Sequence, residues 1–245
     1  MNDKANFQLS VIQRSVLNVV PLLGLPAGAS VLDAPCGWAG ALANALVVAG
    51  FDTVGVDLEI DQGQSQGWTF QTADLEKPFP FPDESFDAVF STEGIEHLEN
   101  PFNFLREIHR VLRPGGKLVL TTPNITAIRS RVRFLGSGFF GCNTRPLIES
   151  GRDPLHHIGL RTFADLRYEL VTTGFRIRSV RHTHIKPVSL LYAIWAPLMI
   201  LYTLIAFRKE KDAAQRLMNV EIRRSLLSHS LLFGENLMVI AERTA

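Results

Sequence analysis

An aspartate stands inside the stretch VLDAPCGWAG, which has the composition of a ligand-binding turn. A short apolar run leads to Asp33, and Pro35, Gly37 and Gly40 then turn the chain. In open α/β proteins, ligands bind at such turns, beyond the carboxyl ends of the strands. A carboxylate there repels a phosphate and attracts a cation. The stretch therefore predicts a ligand that is positively charged at this point.

The same turn argues against a dinucleotide, because Pro35 and Ala39 interrupt the G-x-G-x-x-G spacing that a pyrophosphate requires. S-adenosylmethionine carries an α-ammonium, a sulfonium and no phosphate, so it suits this turn. We expect Asp33 to face the ammonium, directly or through water. Gly37 is expected to let the backbone approach the ligand.

Two further acidic residues end predicted strands. Asp57 ends VGVDLE, close to the spacing of about 20 residues at which an acidic residue binds ribose hydroxyls. Asp74 and Leu75 stand in TADLE, where the carboxylate can accept from an adenine amino group and the Leu75 amide can donate to a ring nitrogen. Each aspartate also has a plainer interpretation, as a helix cap or a turn residue.

The stretch STEGIEHLENP places Glu93, Glu96 and His97 at positions i, i+3 and i+4, which share one face of a helical turn. Two carboxylates and an imidazole can bind a divalent cation such as Mg²⁺ or supply a base. His157 is a further candidate ligand, and His97 and His157 are the candidate catalytic bases. The alternative is that Glu93 only borders the cofactor while His97 packs or caps.

Positioning these residues requires a parallel sheet covered on both faces, because predicted strands and helices alternate along the chain. The predicted strands are SVLDAP, TVGVDLE, WTFQTADLE, DAVFST and GKLVLTTPN, followed by FRIRSVRHT and ENLMVIAER. Helical spacing of apolar residues predicts helices over 8–23, 39–50, 101–112 and 162–173.

These motifs, in this order, resemble the class I S-adenosylmethionine-dependent methyltransferases over residues 9–180 and again over 233–243. VLDAPCGWAG resembles the family's first motif, D-x-G-x-G-x-G, although Pro35 replaces a glycine and has no amide to offer. The resemblance implies a single α/β domain over 1–245. Its sheet would be Rossmann-like, seven-stranded and mostly parallel, with helices on both faces and an apolar helical insertion over 185–232, before the last strand.

The resemblance also implies a set of cofactor-binding residues and a set of metal ligands. The stretch E-x-x-E-H is similar to that of ubiquinone-biosynthesis O-methyltransferases and small-RNA 2′-O-methyltransferases, where it can hold a divalent metal. The implied cofactor-binding residues are Asp33, Ala34, Gly37, Asp57, Leu58, Asp74, Leu75 and Glu93. The implied metal ligands are Glu93, Glu96 and His97.

Composition limits the partners and the location. A net charge of +1 gives no general electrostatic attraction to nucleic acid, so no nucleic-acid partner is expected. Cys36 and Cys142 lack metal spacing, which favours a reducing compartment without a disulfide framework. The first ten residues do not resemble a secretory signal. The expected location is cytoplasmic, peripheral on the cytoplasmic face of the membrane.

The segment Pro187 to Phe207 contains no charged residue and is long enough to span a bilayer, which takes about 20 apolar residues. A single crossing would separate the sixth and seventh strands, which in this family are neighbours. Pro197 is expected to break the segment, so we predict a re-entrant or interfacial hairpin. The following 212–233 is predicted to be one amphipathic helix, and 129–141 a basic and aromatic lid.

The sequence therefore predicts transfer of a methyl group, preferably to oxygen, on a small or lipid-linked acceptor at the membrane surface. One alternative is a soluble small-molecule methyltransferase whose apolar insertion forms a homodimer interface. Another is a catalytically silent scaffold that binds the cofactor.

Overall fold

The computed structural model describes residues 8–59, 67–140 and 156–244. Cys142 and residues 1–7, on which the compartment and signal predictions partly depend, lie outside the described residues. Seven strands form one sheet in the order β3-β2-β1-β4-β5-β7-β6. The strands are β1 Ser30–Asp33, β2 Asp52–Asp57, β3 Thr69–Thr72, β4 Phe86–Thr92, β5 Leu112–Pro123, β6 Phe175–His182 and β7 Asn236–Arg243.

The strand directions confirm the predicted α/β sheet. Strands β1 to β5 pair in parallel, and β7 runs antiparallel to both β5 and β6. β6 therefore runs in the same direction as β5, and β7 begins at the edge where both of them end. That edge is the carboxyl edge, where open α/β sheets bind ligands.

Helices cover both faces of the sheet and also fill the segment between β6 and β7. The helices are α1 Val11–Val19, α2 Ala41–Val48, α3 Pro101–Val111, α4 Ile128–Ser137, α5 Phe163–Thr172, α6 Pro187–Leu191, α7 Ala196–Phe207, α8 Ala213–Leu226 and α9 His229–Phe233. Short 3₁₀ turns cover Val20–Leu23, Ile95–His97 and Tyr192–Trp195.

Apolar side chains on α3 explain how one helix is fixed to the sheet. Its N-terminus is capped by the Asn100 side chain and begins with Pro101, whose missing N–H costs nothing at that position. Phe104, Leu105 and Ile108 lie at helical spacing and are fully buried in the cluster that also contains residues of β4 and β5. Burying each such side chain contributes about 1.5–3 kcal/mol, so this face holds α3 on the sheet.

Trp68 is a core residue that packs beside the turn after β1, in a small cluster with Cys36 and Ala43. Its indole Nε1 donates to Asn44 Oδ1 at 2.8 Å, and the ring is buried. A Cβ atom on Gly40 would lie 2.1 Å from this ring, and one on Gly55 would lie 2.4 Å from it. Glycine is required at both positions because the indole occupies that space.

The uncharged segment forms one continuous helical path over Pro187–Phe207 rather than two halves split at Pro197. α6 continues through the 3₁₀ turn into α7, and Pro197 lies in the first turn of α7, where proline is tolerated. The segment is therefore not broken at Pro197, and the helix changes from 3₁₀ to α just before it. The helix predicted over 212–233 is divided into α8 and α9. The Ser228 hydroxyl accepts from the Leu231 amide and so caps the N-terminus of a new helix, α9.

Candidate active site

The carboxyl edge of the sheet brings together residues that are far apart in sequence. Asp33 pairs in register with Gly55 of β2 and Phe90 of β4, so the ends of these three strands are neighbours. The Ala73 amide donates to the Asp57 carbonyl at 3.0 Å, which brings the end of β3 to the same place. The edge therefore carries Asp33, Asp57 and the residues after β3 and β4.

Asp33 is a buried carboxylate. It is 1% exposed, and no hydrogen bond of ordinary geometry reaches either of its oxygens in the described part of the chain, although the Ala43 amide lies close enough to influence its pKa. Burial raises the pKa of Asp33 well above its ordinary value; the nearby Ala43 amide opposes the rise and the Asp57 carboxylate adds to it. A cationic group bound here would supply the missing partner, because a buried carboxylate is costly unless it is paired.

Asp57 holds the backbone of the turn that follows β1. One of its carboxylate oxygens accepts from the Gly37 amide and the other from the Leu58 amide, both at 2.8 Å. Gly37 has φ +70°, a left-handed conformation that favours glycine. Ala34 is fully buried, and its amide donates to the Phe90 carbonyl, which extends β1 toward the turn.

The structure places Asp74 in a turn. One of its carboxylate oxygens accepts from the Glu76 amide at 3.0 Å, and the other lies 3.3 Å from the Lys77 ammonium. The Leu75 side chain is buried in the main apolar cluster. These contacts match the plainer interpretation of Asp74 as a turn residue. Because the Ala73 amide bonds the Asp57 carbonyl, Asp74 and Leu75 still lie near the turn that follows β1.

Glu93 follows β4 directly and is held in an unusual backbone conformation. Its φ is +52°, which is uncommon for a residue with a side chain. Its amide donates to Thr121, and its Oε2 accepts from the Asn236 amide group at 2.6 Å. Burial raises the pKa of Glu93, and the neighbouring Glu96 carboxylate raises it further.

Glu96 is fully buried in the 3₁₀ turn. Its Oε2 accepts from the Thr122 hydroxyl at 3.0 Å, and its Oε1 has no partner in the described ranges. Burial raises the pKa of Glu96, and Arg161 is among the groups that oppose the rise. The Glu96 carbonyl accepts from the Gly159 amide at 2.9 Å, which holds the segment that carries His157 against the site.

His97 and His157 lie side by side next to Glu96. Their ring centroids are 4.8 Å apart, and one ligand atom from each of Glu96, His97 and His157 lies within 4.8 Å of the others. His97 Nδ1 lies 3.2 Å from the His156 carbonyl, which only accepts, so Nδ1 carries the proton when the ring is neutral. Burial lowers the pKa of His157, as do the neighbouring His97 and His156.

Sequence reasoning missed two residues that position this site. Thr122 holds Glu96, and Asn236 holds Glu93 from the start of β7, 143 residues away in sequence. Neither belongs to a local motif. The predicted last strand was the signal available for Asn236. This residue lies at the start of that strand, and the antiparallel pairing of β7 with β5 places it opposite the end of β5.

The structure also brings together side chains that could hold a metal ion, and this set differs from the predicted one. Glu96, His97 and His157 meet, whereas Glu93 is engaged by Asn236. One carboxylate and two imidazoles are typical of a transition metal or zinc site, while Mg²⁺ prefers oxygen ligands. The donor set therefore suits Mn²⁺ or Zn²⁺ better than Mg²⁺.

Comparison with known proteins identifies relatives for part of the chain. Residues 32–120 match the family model described as a methyltransferase domain. The demethylmenaquinone methyltransferase of Tropheryma whipplei (strain Twist) is 33% identical over 130 residues, which cover 48% of this chain and 52% of that protein. The ubiquinone biosynthesis O-methyltransferase of Pseudomonas syringae pv. tomato is 33% identical over 110 residues, 40% and 46% of the two chains.

A solved structure extends the similarity of fold to nearly the whole chain. The S-adenosylmethionine-dependent methyltransferase from Archaeoglobus fulgidus superposes with a TM-score of 0.60 at 19% identity, covering 97% of this chain and 96% of that one. The chain spans about half the length of the curated relatives it matches. Residues 32–120 thus match a methyltransferase domain, and the chain as a whole has the fold of S-adenosylmethionine-dependent methyltransferase structures.

Proposed function

We propose that this protein transfers a methyl group from S-adenosylmethionine to an oxygen of a small or lipid-linked acceptor at a membrane surface. One observation carries the donor part of the proposal. Asp33 is a buried carboxylate without a partner in the described residues, at the carboxyl edge where the family binds its cofactor. The α-ammonium of S-adenosylmethionine has the charge that this carboxylate lacks.

The cofactor supplies a methyl group that its sulfonium already activates, so the chain has mainly to bind, align and exclude water. Asp33 would hold the ammonium. Asp57, which orders the turn through Gly37, would accept from ribose hydroxyls with its remaining lone pairs. Leu58, Asp74 and Leu75 would border the adenine, and Glu93 the reacting end of the site.

The two histidines favour oxygen as the acceptor atom. A hydroxyl must lose its proton as the methyl group arrives, which requires a base near the acceptor. Burial lowers the pKa of His157, which favours its neutral form, and His97 Nδ1 faces the His156 carbonyl, so in the neutral ring the lone pair lies on Nε2. Two relatives are named as quinone-pathway methyltransferases, one of them an O-methyltransferase, which supports a hydroxyl on a lipid-linked ring.

A divalent cation is a second way to activate the hydroxyl at the same site. Glu96, His97 and His157 would hold it, and Glu96 Oε1 and His157 Nδ1 are buried atoms without a partner in the described ranges. A bound cation would lower the pKa of a coordinated hydroxyl and would also neutralise the buried Glu96 carboxylate.

The exposed helical segment supports action at a membrane. The most apolar 18-residue window of Pro187–Phe207 has mean hydropathy 2.0, and none of its residues is buried. Both ends of the insertion join the same edge of the sheet, so an interfacial or re-entrant position fits where a single crossing does not. Basic residues flank the segment, which is consistent with the anionic cytoplasmic leaflet.

Calorimetric titration with S-adenosylmethionine tests the donor site. We expect the wild-type protein to bind, Asp57→Ala to lose most of the affinity, and Asp33→Asn to lose at least about tenfold because the ammonium loses a buried charged partner. Asp52→Asn is the matched control, since Asp52 is exposed at the start of β2, at the opposite end of the strand from Asp57. Absence of binding by the wild type would contradict the proposal, and binding without turnover on any lipid extract would favour the silent scaffold.

The metal role has its own test. Titration of the purified protein with Mn²⁺ after chelator treatment should show one site, and His157→Gln should weaken it by about 10- to 100-fold. His109→Gln is the control, because His109 lies on α3 and contacts Phe175 in the core. Equal Mn²⁺ affinity in wild type and His157→Gln would leave the two histidines as bases only.

A further inference from the structure

α4 begins near the carboxyl edge of the sheet and presents apolar side chains to solvent at its other end. The helix follows the end of β5 after four residues. Leu135 is 84% exposed, and Phe134 and Phe139 near the end of the helix are each almost half exposed. The Phe134 ring also stacks on the Phe140 ring at 4.5 Å. Four neighbouring apolar side chains at a helix end are unusual on a surface that faces only water.

Ion pairs join α4 to both ends of the insertion. The Arg129 guanidinium donates to the Glu235 carboxylate at 2.6 Å, and the Lys186 ammonium donates to the same carboxylate at 2.8 Å. Lys186 precedes α6 and Glu235 precedes β7, so one carboxylate links the start of α4 with the beginning and the end of the insertion. α4 also contacts the 3₁₀ turn Tyr192–Trp195. The described part of the predicted lid, residues 129–140, therefore lies beside the insertion, with Arg129 paired to Glu235.

The insertion also carries exposed apolar residues. Leu191 and Ile194 are 76% and 80% exposed, and α7 and α8, which contact each other, carry further ones. We call the exposed apolar residues of α4 and of the insertion the apolar surface. Its members are Phe134, Leu135, Phe139, Val188, Leu190, Leu191, Ile194, Trp195, Leu198, Leu201, Tyr202, Ile205, Leu217, Met218 and Val220.

Charge indicates what covers the apolar surface. Residues 186–226 contain seven lysines and arginines and three aspartates and glutamates, so this stretch has a net charge of +4 while the whole chain has +1. A second copy of the chain docked on the same surface would bring equal positive charges together. Anionic lipid head groups would complement them instead, and the acyl region would take the apolar side chains.

We propose that α4 and the insertion form one lipid-binding surface, which docks the carboxyl edge of the sheet on an anionic bilayer with Phe134, Leu135 and Phe139 in the interface. This inference rests on the proposed function for its acceptor but not for its lipid contact. Asn236, which holds Glu93, starts β7 immediately after the insertion. The site and the lipid-binding surface thus share one edge, and a lipid-linked acceptor reaches the histidines from the bilayer.

Vesicle binding by matched leucine variants tests this surface. The protein is mixed with vesicles of phosphatidylcholine, with and without phosphatidylglycerol, and the bound fraction is measured by flotation. We expect the wild type to bind the anionic vesicles, and Leu135→Glu to bind about tenfold or more weakly, because a charge replaces a leucine that would enter the bilayer interface. Leu22→Glu, which changes a leucine that is 61% exposed in the 3₁₀ turn after α1, should bind like the wild type.

A second variant and a second measurement separate the outcomes. Phe139→Glu should weaken binding as Leu135→Glu does, and both should keep the wild-type affinity for S-adenosylmethionine, which shows that they fold.

Wild-type binding by both variants would overturn the role of α4, and equal binding to neutral vesicles would overturn the choice of anionic lipid. Absence of vesicle binding together with a dimer in sedimentation would overturn the surface as a whole. Failure of the wild type to bind S-adenosylmethionine would count against the proposed function alone.

Discussion

Asp33 shows how a single residue can be costly for the fold and useful for the site. Taking an unpaired carboxylate out of water costs several kcal/mol, and the chain supplies no partner for it in the described ranges. Its folded-state pKa is raised, chiefly by burial, so the folded protein binds this proton more tightly than the unfolded chain does. Such a group lowers stability as the pH rises through its folded-state pKa.

The variant Asp33→Asn should therefore be more stable than the wild type at pH 8, although it binds the cofactor poorly. The stability that the protonated Asp33 side chain contributes to the wild type is fully present near and below its unfolded-state pKa and is lost as the pH rises. Asparagine does not titrate, so the variant shows no such loss. We expect a difference in the free energy of unfolding of about 1 kcal/mol or more at pH 8, which shrinks toward pH 5. Urea unfolding at several pH values, without cofactor, measures it.

Asp52→Asn is again the control, and it should change the free energy of unfolding by less than about 0.5 kcal/mol at either pH. A destabilised Asp33→Asn at pH 8 would mean that the carboxylate is satisfied in the folded protein. Asp33 would then be a structural residue, and its charge would not be waiting for a cation.

At the scale of elements, sequence periodicity and turn chemistry predicted most of the sheet. β1, β2, β4 and β5 were predictable because each is a short apolar run bounded by turn residues. Parallel strands end at one edge, so the placement of Asp33 and Asp57 together followed from the alternation of strands and helices. The break at Pro197 was mistaken because proline stops a helix only inside it, and the residue falls in the first turn of α7.

The parts of the site that depend on tertiary contact could not be predicted. His157 reaches Glu96 because the Gly159 amide donates to the Glu96 carbonyl, a contact across 63 residues that no local pattern encodes. The Arg129–Glu235–Lys186 contact that joins α4 to the insertion has the same character. The sequence indicated which residues carry the chemistry, and the packing of loops decided which of them meet.

At the scale of the whole molecule, α7 and α8 are attached to the core but contribute little to it. No residue of α7 or α8 is buried, whereas Leu231 of α9 belongs to the main apolar cluster and Leu226, the last residue of α8, packs against that cluster. The apolar surface therefore adds little to the stability of the sheet. An exposed apolar surface of this extent is what the proposed lipid contact requires.

Replacing residues 190–220 with a flexible Gly/Ser linker should separate the core from its membrane contact. We expect the free energy of unfolding to change by less than about 1 kcal/mol, because the replaced segment lies outside the described core. Affinity for S-adenosylmethionine should stay within a few-fold of the wild type, and flotation with anionic vesicles should be lost. Turnover should fall on a lipid-dispersed acceptor and remain on a water-soluble analogue of it. Loss of cofactor binding in a folded variant would instead mean that the insertion completes the donor site, and the division between a cofactor-binding core and a lipid-binding insertion would be wrong.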